Sequence, residues 1–338
     1  MPPALLVVIV FSASATEFAA SAAENTIGNW SCEPLTNVTL APRVFWVQQN
    51  CTGIVRRAAP FWGETNVGPV IVNMVSALLS ADKDSPRLRP EIARTSLGLA
   101  KLHDLAATAA QPDFAPLAGV NGGYFFEVNR EDFLDDVCFG KSRRDALANV
   151  SLSDPNTGIG DGLTIMRGRY VSSNCDKIGN SKPVAAVLDY PPRFVKMERA
   201  QRLPPGIEWA IAAGPNLVSR NASTGESRVD IEGDNVNILE HASNTALGIR
   251  AHGRNRTQEF LLVTFDGIDG CVEYKPTCGV SSWQFASFML DYLKVETAME
   301  MDQGGSTAMW VKGQSNTGIV TNPGHSERLL FNGLFVGV

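Results

Sequence analysis

Two aspartates, Asp266 and Asp302, are the residues whose surroundings best suit chemistry. Each directly follows a short apolar run, at 260–265 and 297–301, and glycine-containing backbone comes after each. A carboxylate can act as a nucleophile or as a general base. The alternative is that each aspartate only forms a turn by bonding to its own backbone. Because the two share the same placement, the pattern favours one functional site.

The elements around the aspartates predict how they are held. The run at 260–265 predicts a buried strand, and apolar spacing over 285–293, behind the N-cap candidates Ser281 and Ser282, predicts a helix. A second strand is predicted at 297–301. A strand, a helix and a strand in close succession favour a crossover between parallel strands. Both aspartates would then lie on one rim of the sheet, where ligands bind in such folds.

The whole chain is typical of a globular protein. Its 338 residues are 44% hydrophobic and 19% charged, and no repeat, low-complexity tract or linker divides them. We therefore expect a single α+β domain, a mixed β-sheet with parallel crossover units and flanking helices.

The N-terminus predicts secretion. Residues 4–11 form an apolar run too short to span a bilayer, and small residues at 20–23 offer a cleavage site. A buried N-terminal helix is the alternative. We expect a signal peptide at 1–23, an arm with early strands at 24–64 and the main domain at 65–338, with no membrane span after cleavage. The mature protein would be secreted or extracytoplasmic.

The six cysteines fit an oxidising compartment. Cys271 and Cys278 would close a short loop, and chain order suggests the pairs Cys32–Cys51 and Cys138–Cys175. Asn-X-Ser/Thr sequons are surface glycosylation sites if the source is eukaryotic and chance matches if it is bacterial. They lie at Asn29, Asn37, Asn50, Asn149, Asn221 and Asn255.

Composition argues against several partners. The net charge is −6, and the short basic clusters at 56–57 and 141–144 are not interleaved with aromatic residues, so no nucleic-acid partner is expected. Four histidines and no CxxC pair give a zinc site little support. No cofactor is predicted, and whether Ca²⁺ lies near the aspartates stays open.

Four ordered motifs resemble those of the phosphodiester glycosidase family. They are VNGGYF at 120–125, AGPNLV at 213–218, TALG at 245–248 and MDQGGSTAM at 301–309, with a weaker match at 322–334. One such motif alone would be weak, but the ordered set is specific and covers residues 65–338. The resemblance implies a hydrolase that cleaves the bond between an anomeric sugar carbon, such as that of N-acetylglucosamine, and a phosphodiester.

The resemblance also implies roles for residues. Asp302 would be the nucleophile or general base and Asp266 its partner, while glycine amides and the Arg328 guanidinium would hold the phosphate. Turn formation, capping and an Arg328–Glu327 ion pair are the structural alternatives. The expected substrate-binding residues are Asn121, Gly122, Gly123, Asn216, Thr245, Gly304, Gly305, Ser306, Thr307 and Arg328.

Three positions depart from the family pattern. Asn244 and Ile268 stand where the family has arginine, and Gln303 stands where it has glycine. Two further hypotheses therefore stay open: a catalytically lapsed relative that binds glycans, and a hydrolase of bacterial cell-wall or exopolysaccharide linkages.

Overall fold

The structure of the protein is a computed structural model. It describes residues 27–57, 63–82, 84–92, 98–127, 137–138, 141–142, 158–160, 162–172, 184–197, 203–232, 241–252, 257–267, 278–321 and 327–338. The predicted signal peptide lies outside these residues, as do Ile268, Cys175, Cys271 and the sequons at Asn149 and Asn255.

Strands make up most of the described elements. In chain order they are β1 (Ile27–Ala41), β2 (Val44–Arg57), β3 (Gly63–Leu79), β4 (Arg87–Ile92), β5 (Pro116–Asn121), β6 (Phe125–Glu127), β7 (Val137–Cys138), β8 (Lys141–Ser142), β9 (Gly158–Gly160), β10 (Thr164–Met166), β11 (Arg169–Ser172), β12 (Val184–Val187), β13 (Arg193–Lys196), β14 (Trp209–Ala213), β15 (Asn216–Arg220), β16 (Ser227–Glu232), β17 (Asn244–His252), β18 (Thr257–Phe265), β19 (Thr297–Glu300), β20 (Met309–Val311) and β21 (Asn332–Gly337). The helices are α1 (Leu102–Ala109), α2 (Ser282–Ser287), a π-helix (Phe288–Tyr292) and a 3₁₀ turn (Gly304–Ser306).

Three sheets carry the fold. An eight-stranded sheet has the order β1-β2-β3-β18-β17-β19-β15-β16, a five-stranded sheet the order β11-β10-β14-β12-β13, and a four-stranded sheet the order β20-β5-β21-β4. Two short ladders, β6-β9 and β7-β8, complete the described strands. Strands β1 and β2, from the predicted arm, belong to the large sheet.

The predicted α+β fold with parallel crossover units is wrong, because the fold is mostly β and its sheets are antiparallel. The helix expected after β18 does form, but β18 and β19 are not neighbours. Strand β17 makes an antiparallel hairpin with β18 and then pairs with β19, so it lies between them. The predicted strand–helix–strand unit does not include β17, whose residues 245–248 carry the TALG motif.

Both faces of the large sheet are buried. Phe260 and Leu262 of β18 pack into a core shared with the two smaller sheets. Leu261, Val263 and Phe265 point to the opposite face and pack with α2 and the π-helix. Side chains alternate between the faces of a strand, so a strand covered on both sides has a continuous apolar run, as β18 does.

Helix α2 begins at a capping box. The Ser281 hydroxyl accepts from the Gln284 amide, and the Gln284 side chain accepts from the Ser281 amide. The helix continues into the π-helix, where Phe288 packs edge-on against Phe265, with ring centroids 4.8 Å apart. This contact fastens the helical segment over the end of β18. On the four-stranded sheet, α1 buries Leu102 and Leu105.

One predicted disulfide, Cys32–Cys51, is confirmed. The two residues lie directly opposite each other on β1 and β2, so the bond ties the edge strand to the sheet. Cys278 is also disulfide-bonded. Its predicted partner Cys271 lies outside the described residues, so that pairing stays a prediction, as does Cys138–Cys175. Within the described part of the chain, no helix is both long enough and apolar enough to cross a membrane.

Candidate active site at the rim of the large sheet

Asp266 and Asp302 do lie on one rim, for a different reason from the predicted one. Strand β17 is antiparallel to both β18 and β19, so these two strands run in the same direction and end at the same edge. Neighbouring strands are about 4.8 Å apart, so one intervening strand separates the two backbones by about 10 Å. Asp266 is half-buried and Asp302 is 9% exposed. This rim is the candidate active site.

Asn121 fixes the backbone of Asp302 from the facing sheet. Its Nδ2 donates to the Asp302 main-chain oxygen at 2.7 Å. Its Oδ1 accepts from Thr245 Oγ1 at 2.6 Å and from the Ala308 amide at 3.1 Å. Asn121 and Thr245 are fully buried. The polar atoms of both side chains therefore face each other and the protein backbone rather than solvent.

The loop after Asp302 is held by further main-chain bonds. The Asp302 amide donates to Gly122 O at 3.1 Å, and Asp302 Oδ1 accepts from the Gln303 amide at 3.0 Å. Gly304 donates to Ser243 O at 2.8 Å, and Ser243 Oγ donates back to Gly304 O at 3.0 Å. The Gln303 amide therefore orients the Asp302 carboxylate, and the other bonds hold the loop in place.

Two of the four glycines predicted to offer amides to phosphate already donate inside the fold. Gly304 donates to Ser243 O, and Gly122 donates to Asn332 O at 2.9 Å. Gly123 and Gly305 are the remaining candidates.

Close packing explains the paired glycines of the VNGGYF motif. A Cβ on Gly122 would lie 1.9 Å from Asn332 Oδ1, and one on Gly123 would lie 2.5 Å from the carbonyl oxygen of Ala212. Here β5 passes against β21 and β14, and no side chain fits between the backbones. The motif therefore brings the backbone after Asn121 directly under the Asp302 loop.

Arg328 lies beside the Ser306 end of the Asp302 loop. It is exposed, its Nη1 is 3.4 Å from Ser306 Oγ, and its guanidinium carbon lies 5.2 Å from the centre of the Phe125 ring. Glu327 binds His103 instead, with Oε2 2.7 Å from the imidazole Nδ1. The guanidinium is thus near the Ser306 end of the Asp302 loop.

Two of the predicted binding residues are not exposed at the rim: Asn216 is directed toward β16, and Thr307 is buried. Asn216 begins β15, and its amide donates to Asp230 O at 2.8 Å and to Ser219 Oγ at 2.9 Å, toward β16. Thr307 is 1% exposed, and its buried Oγ1 has no hydrogen-bond partner among the described residues.

Asn244, the first departure from the family pattern, is fully buried. Its Nδ2 donates to Val280 O at 2.5 Å and to Ala242 O at 3.3 Å. Residue 244 therefore braces the segment leading into α2. An arginine head group at this position would have to leave that buried environment to reach solvent.

Sequence reasoning missed His241, which precedes Ser243 at the same rim. Burial lowers the pKa of this histidine, and a hydrogen bond to the Gln284 side chain opposes this in part. The imidazole is therefore neutral at neutral pH and chemically able to exchange a proton. Only its proximity to the TALG motif could have drawn attention to it in the sequence.

Glu300 was also missed. It lies in β19, two residues before Asp302, and is fully buried. Burial raises the pKa of its carboxyl group to about 8, and the neighbouring Ser282 hydroxyl opposes this only in part. The two groups do not reach hydrogen-bond geometry, since both carboxyl oxygens and the Ser282 Oγ have no such partner within the described residues. Glu300 is therefore a neutral acid at neutral pH.

No three or more His, Cys, Asp or Glu side chains cluster as metal ligands in the described ranges.

The motifs that build this rim lie in the part of the chain that matches a family model of sugar-cleaving hydrolases. The family model for phosphodiester glycosidases matches residues 116–337, which include VNGGYF, AGPNLV, TALG and MDQGGSTAM. The chain belongs to the phosphodiester glycosidase family, and the resemblance seen in its motifs is confirmed.

Solved structures share the fold at low sequence identity. The catalytic domain of zebrafish N-acetylglucosamine-1-phosphodiester alpha-N-acetylglucosaminidase, auto-inhibited by its pro-peptide, is 14% identical with a TM-score of 0.54, covering 91% of this chain and 87% of that one. A hypothetical protein from Synechocystis is 13% identical with a TM-score of 0.50, covering 90% and 64%. A Burkholderia pseudomallei protein called "Putative exported protein" is 13% identical with a TM-score of 0.50, covering 93% and 97%. No curated protein sequence is significantly similar to this chain.

Proposed function

We propose that this protein is a secreted hydrolase that cleaves a sugar-1-phosphodiester at the anomeric carbon, with N-acetylglucosamine as the first candidate sugar. The observation that carries the proposal is the fastened Asp302 loop. Asn121 and Gly122 hold its backbone, the Gln303 amide orients the Asp302 carboxylate, and Arg328 lies at its far end.

In this mechanism Asp302 supplies the carboxylate at the reacting carbon. In one route it attacks that carbon while the bond from carbon to the phosphate oxygen breaks, and water then hydrolyses the resulting sugar–Asp302 ester. In the other it takes a proton from a water molecule that attacks the carbon as the same bond breaks. The products are the free sugar and a phosphomonoester. Asp266, about 10 Å away across the rim, would stabilise the positive charge that develops on the sugar ring.

The leaving phosphate needs donors more than a strong acid. Phosphate is a good leaving group, so its developing charge is what the site must hold. Arg328 can offer a forked pair of N–H donors, and the Gly123 and Gly305 amides are the main-chain candidates. Asn121 and Thr245 are fully buried and bonded to each other, which supports a positioning role rather than direct contact with substrate.

Two further points support the choice of substrate and compartment. The zebrafish enzyme of the same fold is named for N-acetylglucosamine-1-phosphodiester. The apolar N-terminus and the Cys32–Cys51 disulfide suit an exported protein.

N-terminal sequencing of secreted material should find a mature chain beginning near residue 24. Retention of residues 4–11 would contradict a signal peptide.

A second candidate is a glycan-binding relative without turnover. Asn244 favours it, because the side chain that replaces the family's arginine is bonded internally to Val280. The test is hydrolysis of a GlcNAc-1-phosphodiester by the purified protein, with Asp302→Asn as the inactive control. Release of N-acetylglucosamine by the wild type alone supports the hydrolase, and no release by either protein supports the second candidate.

A further inference from the structure

Two cavities share part of their lining, and the larger one lies at the end of the fold opposite the rim. Leu79, in the wall of the larger cavity, pairs with Gln258, whereas Val72 pairs with Phe265 beside Asp266. Seven residues of extended strand separate these levels, which is about 23 Å. The cavities have volumes of about 450 Å³ and about 280 Å³.

Arg89 and Trp209 form a wall that the two cavities share. Arg89 makes two hydrogen bonds to Asp113, at 3.2 Å and 2.8 Å, and its guanidinium lies 5.0 Å from the centre of the Trp209 ring and 4.7 Å from that of Phe114. The paired carboxylate neutralises the arginine, and stacking fixes its plane. The wall is therefore preorganised, and we name the larger cavity with this wall the distal groove.

Several groups in the larger cavity are available to a ligand. Tyr190 is 51% exposed. The Arg87 side chain is exposed and makes no ion pair or hydrogen bond with any described residue. The carboxylates of Asp189 and Glu208 lie in the same wall, where Asp189 Oδ2 accepts from the Glu208 amide at 2.9 Å.

This combination fits a polyhydroxylated ligand. Both signs of charge line the cavity, so neither an anion nor a cation alone is favoured. Hydroxyl groups can both donate to carboxylates and accept from a guanidinium, and an aromatic face packs against the apolar face of a ring. The volume of the larger cavity is within the range of ligand sites.

We propose that the distal groove binds an oligosaccharide outside the active site. It would hold the glycan to which the scissile phosphodiester is attached, or keep the enzyme on a glycan-coated surface. A short substrate would not reach from the rim to the groove, about 23 Å away, so its hydrolysis would not depend on the groove.

The experiment measures glycan binding and hydrolysis on the same variants. Binding is measured on a panel of immobilised oligosaccharides that includes chitotetraose and mannotetraose, and then by calorimetry with the strongest binder, in an Asp302→Asn background that prevents turnover. Groove variants are Tyr190→Ala and Arg87→Ala. The matched controls are Tyr170→Ala and Lys312→Ala, exposed side chains outside the groove.

We expect at least one oligosaccharide to bind, each groove variant to weaken it by about tenfold or more, and the controls to stay within about twofold. The kcat and KM for a short GlcNAc-1-phosphodiester should be the same in all four variants made in the active protein. Absence of binding across the panel, or binding unaffected by both groove substitutions, would overturn the proposal. Binding without any hydrolysis would instead count against the proposed reaction and leave the groove standing.

Discussion

The side-chain amide of Asn121 donates a 2.7 Å hydrogen bond to the main-chain oxygen of Asp302, a residue 181 positions later in the chain. The bond joins β5 of the four-stranded sheet to the loop after β19 of the large sheet. It lies in a fully buried cluster, where water does not compete with it. The position of the Asp302 carboxylate therefore depends on how the two sheets pack together.

Replacement of Asn121 by alanine should impair both stability and turnover. The variant leaves Thr245 Oγ1, the Ala308 amide and the Asp302 oxygen without their partner. Unsatisfied buried groups cost about 1–3 kcal/mol each, so a clear drop in Tm is expected. As a comparison, Thr245→Val removes one of these bonds and not the one to Asp302. We expect Thr245→Val to lower Tm less than Asn121→Ala does and to leave kcat nearer the wild-type value. If Asn121→Ala and the wild type have equal kcat, Asn121 does not position Asp302.

Asp302→Asn should abolish most turnover with little effect on folding. The side chain is at the edge of the fold, and an asparagine Oδ1 can still accept from the Gln303 amide. We expect the free energy of unfolding to change by less than about 2 kcal/mol and kcat to fall by at least about 10²-fold. Both are to be measured on one preparation, with Asp266→Asn alongside. An unchanged kcat would exclude Asp302 from the chemistry, and a large fall in Tm would indicate a turn-forming role.

The rim could be predicted from local patterns, but the path of the chain to it could not. Apolar runs before Asp266 and Asp302 predicted two strands with ends on the same side, which the structure has. Strand β17 was not predicted, because residues 245–248 indicated only the TALG motif, and it pairs with β18 as an antiparallel hairpin rather than through a crossover. Contacts such as Asn121–Asp302 join residues far apart in sequence, and no local periodicity carries such information.

Glu300 should make the protein less stable as pH rises. Its pKa is raised to about 8 in the folded protein from its usual 4.5, so between these values the folded state binds a proton that the unfolded state releases. Stability from this group is then lost as pH rises from about 4.5 to 8, with a limiting slope of about 1.4 kcal/mol per pH unit. Glu300→Gln removes the titration. We expect its Tm to vary less than that of wild type between pH 5 and 8, and parallel Tm profiles would show that Glu300 is not a neutral acid in the fold.

The Cys32–Cys51 disulfide should stabilise the large sheet without affecting the chemistry. It closes a loop with a sequence separation of 19, for which chain entropy gives about 3 kcal/mol. The double variant Cys32→Ala/Cys51→Ala should therefore have a lower Tm and unchanged kcat below its unfolding temperature, because β1 and β2 lie at the far side of β3 from β17 and β19. A loss of kcat without a loss of Tm would contradict this purely stabilising role.

The Cys271–Cys278 pair is tested by non-reducing peptide mapping of the same samples. A free thiol at Cys271 would rule out that pair.

Arg328 should distinguish phosphodiester substrates from ordinary glycosides. Its guanidinium lies at the Ser306 end of the Asp302 loop, and a fork of two N–H donors matches a phosphate. An aryl N-acetylglucosaminide has no phosphate for it to bind. We therefore expect Arg328→Ala to lower kcat/KM for a GlcNAc-1-phosphodiester by about tenfold or more, since charge-assisted hydrogen bonds are worth about 1.5–3 kcal/mol, and to leave kcat/KM for the aryl glycoside nearly unchanged. Lys312→Ala, which removes an exposed positive charge outside the site, should change neither value. Equal or greater activity of the wild type on the aryl glycoside would contradict the proposed substrate class, because a site that prefers the simple glycoside has no use for a phosphate clamp.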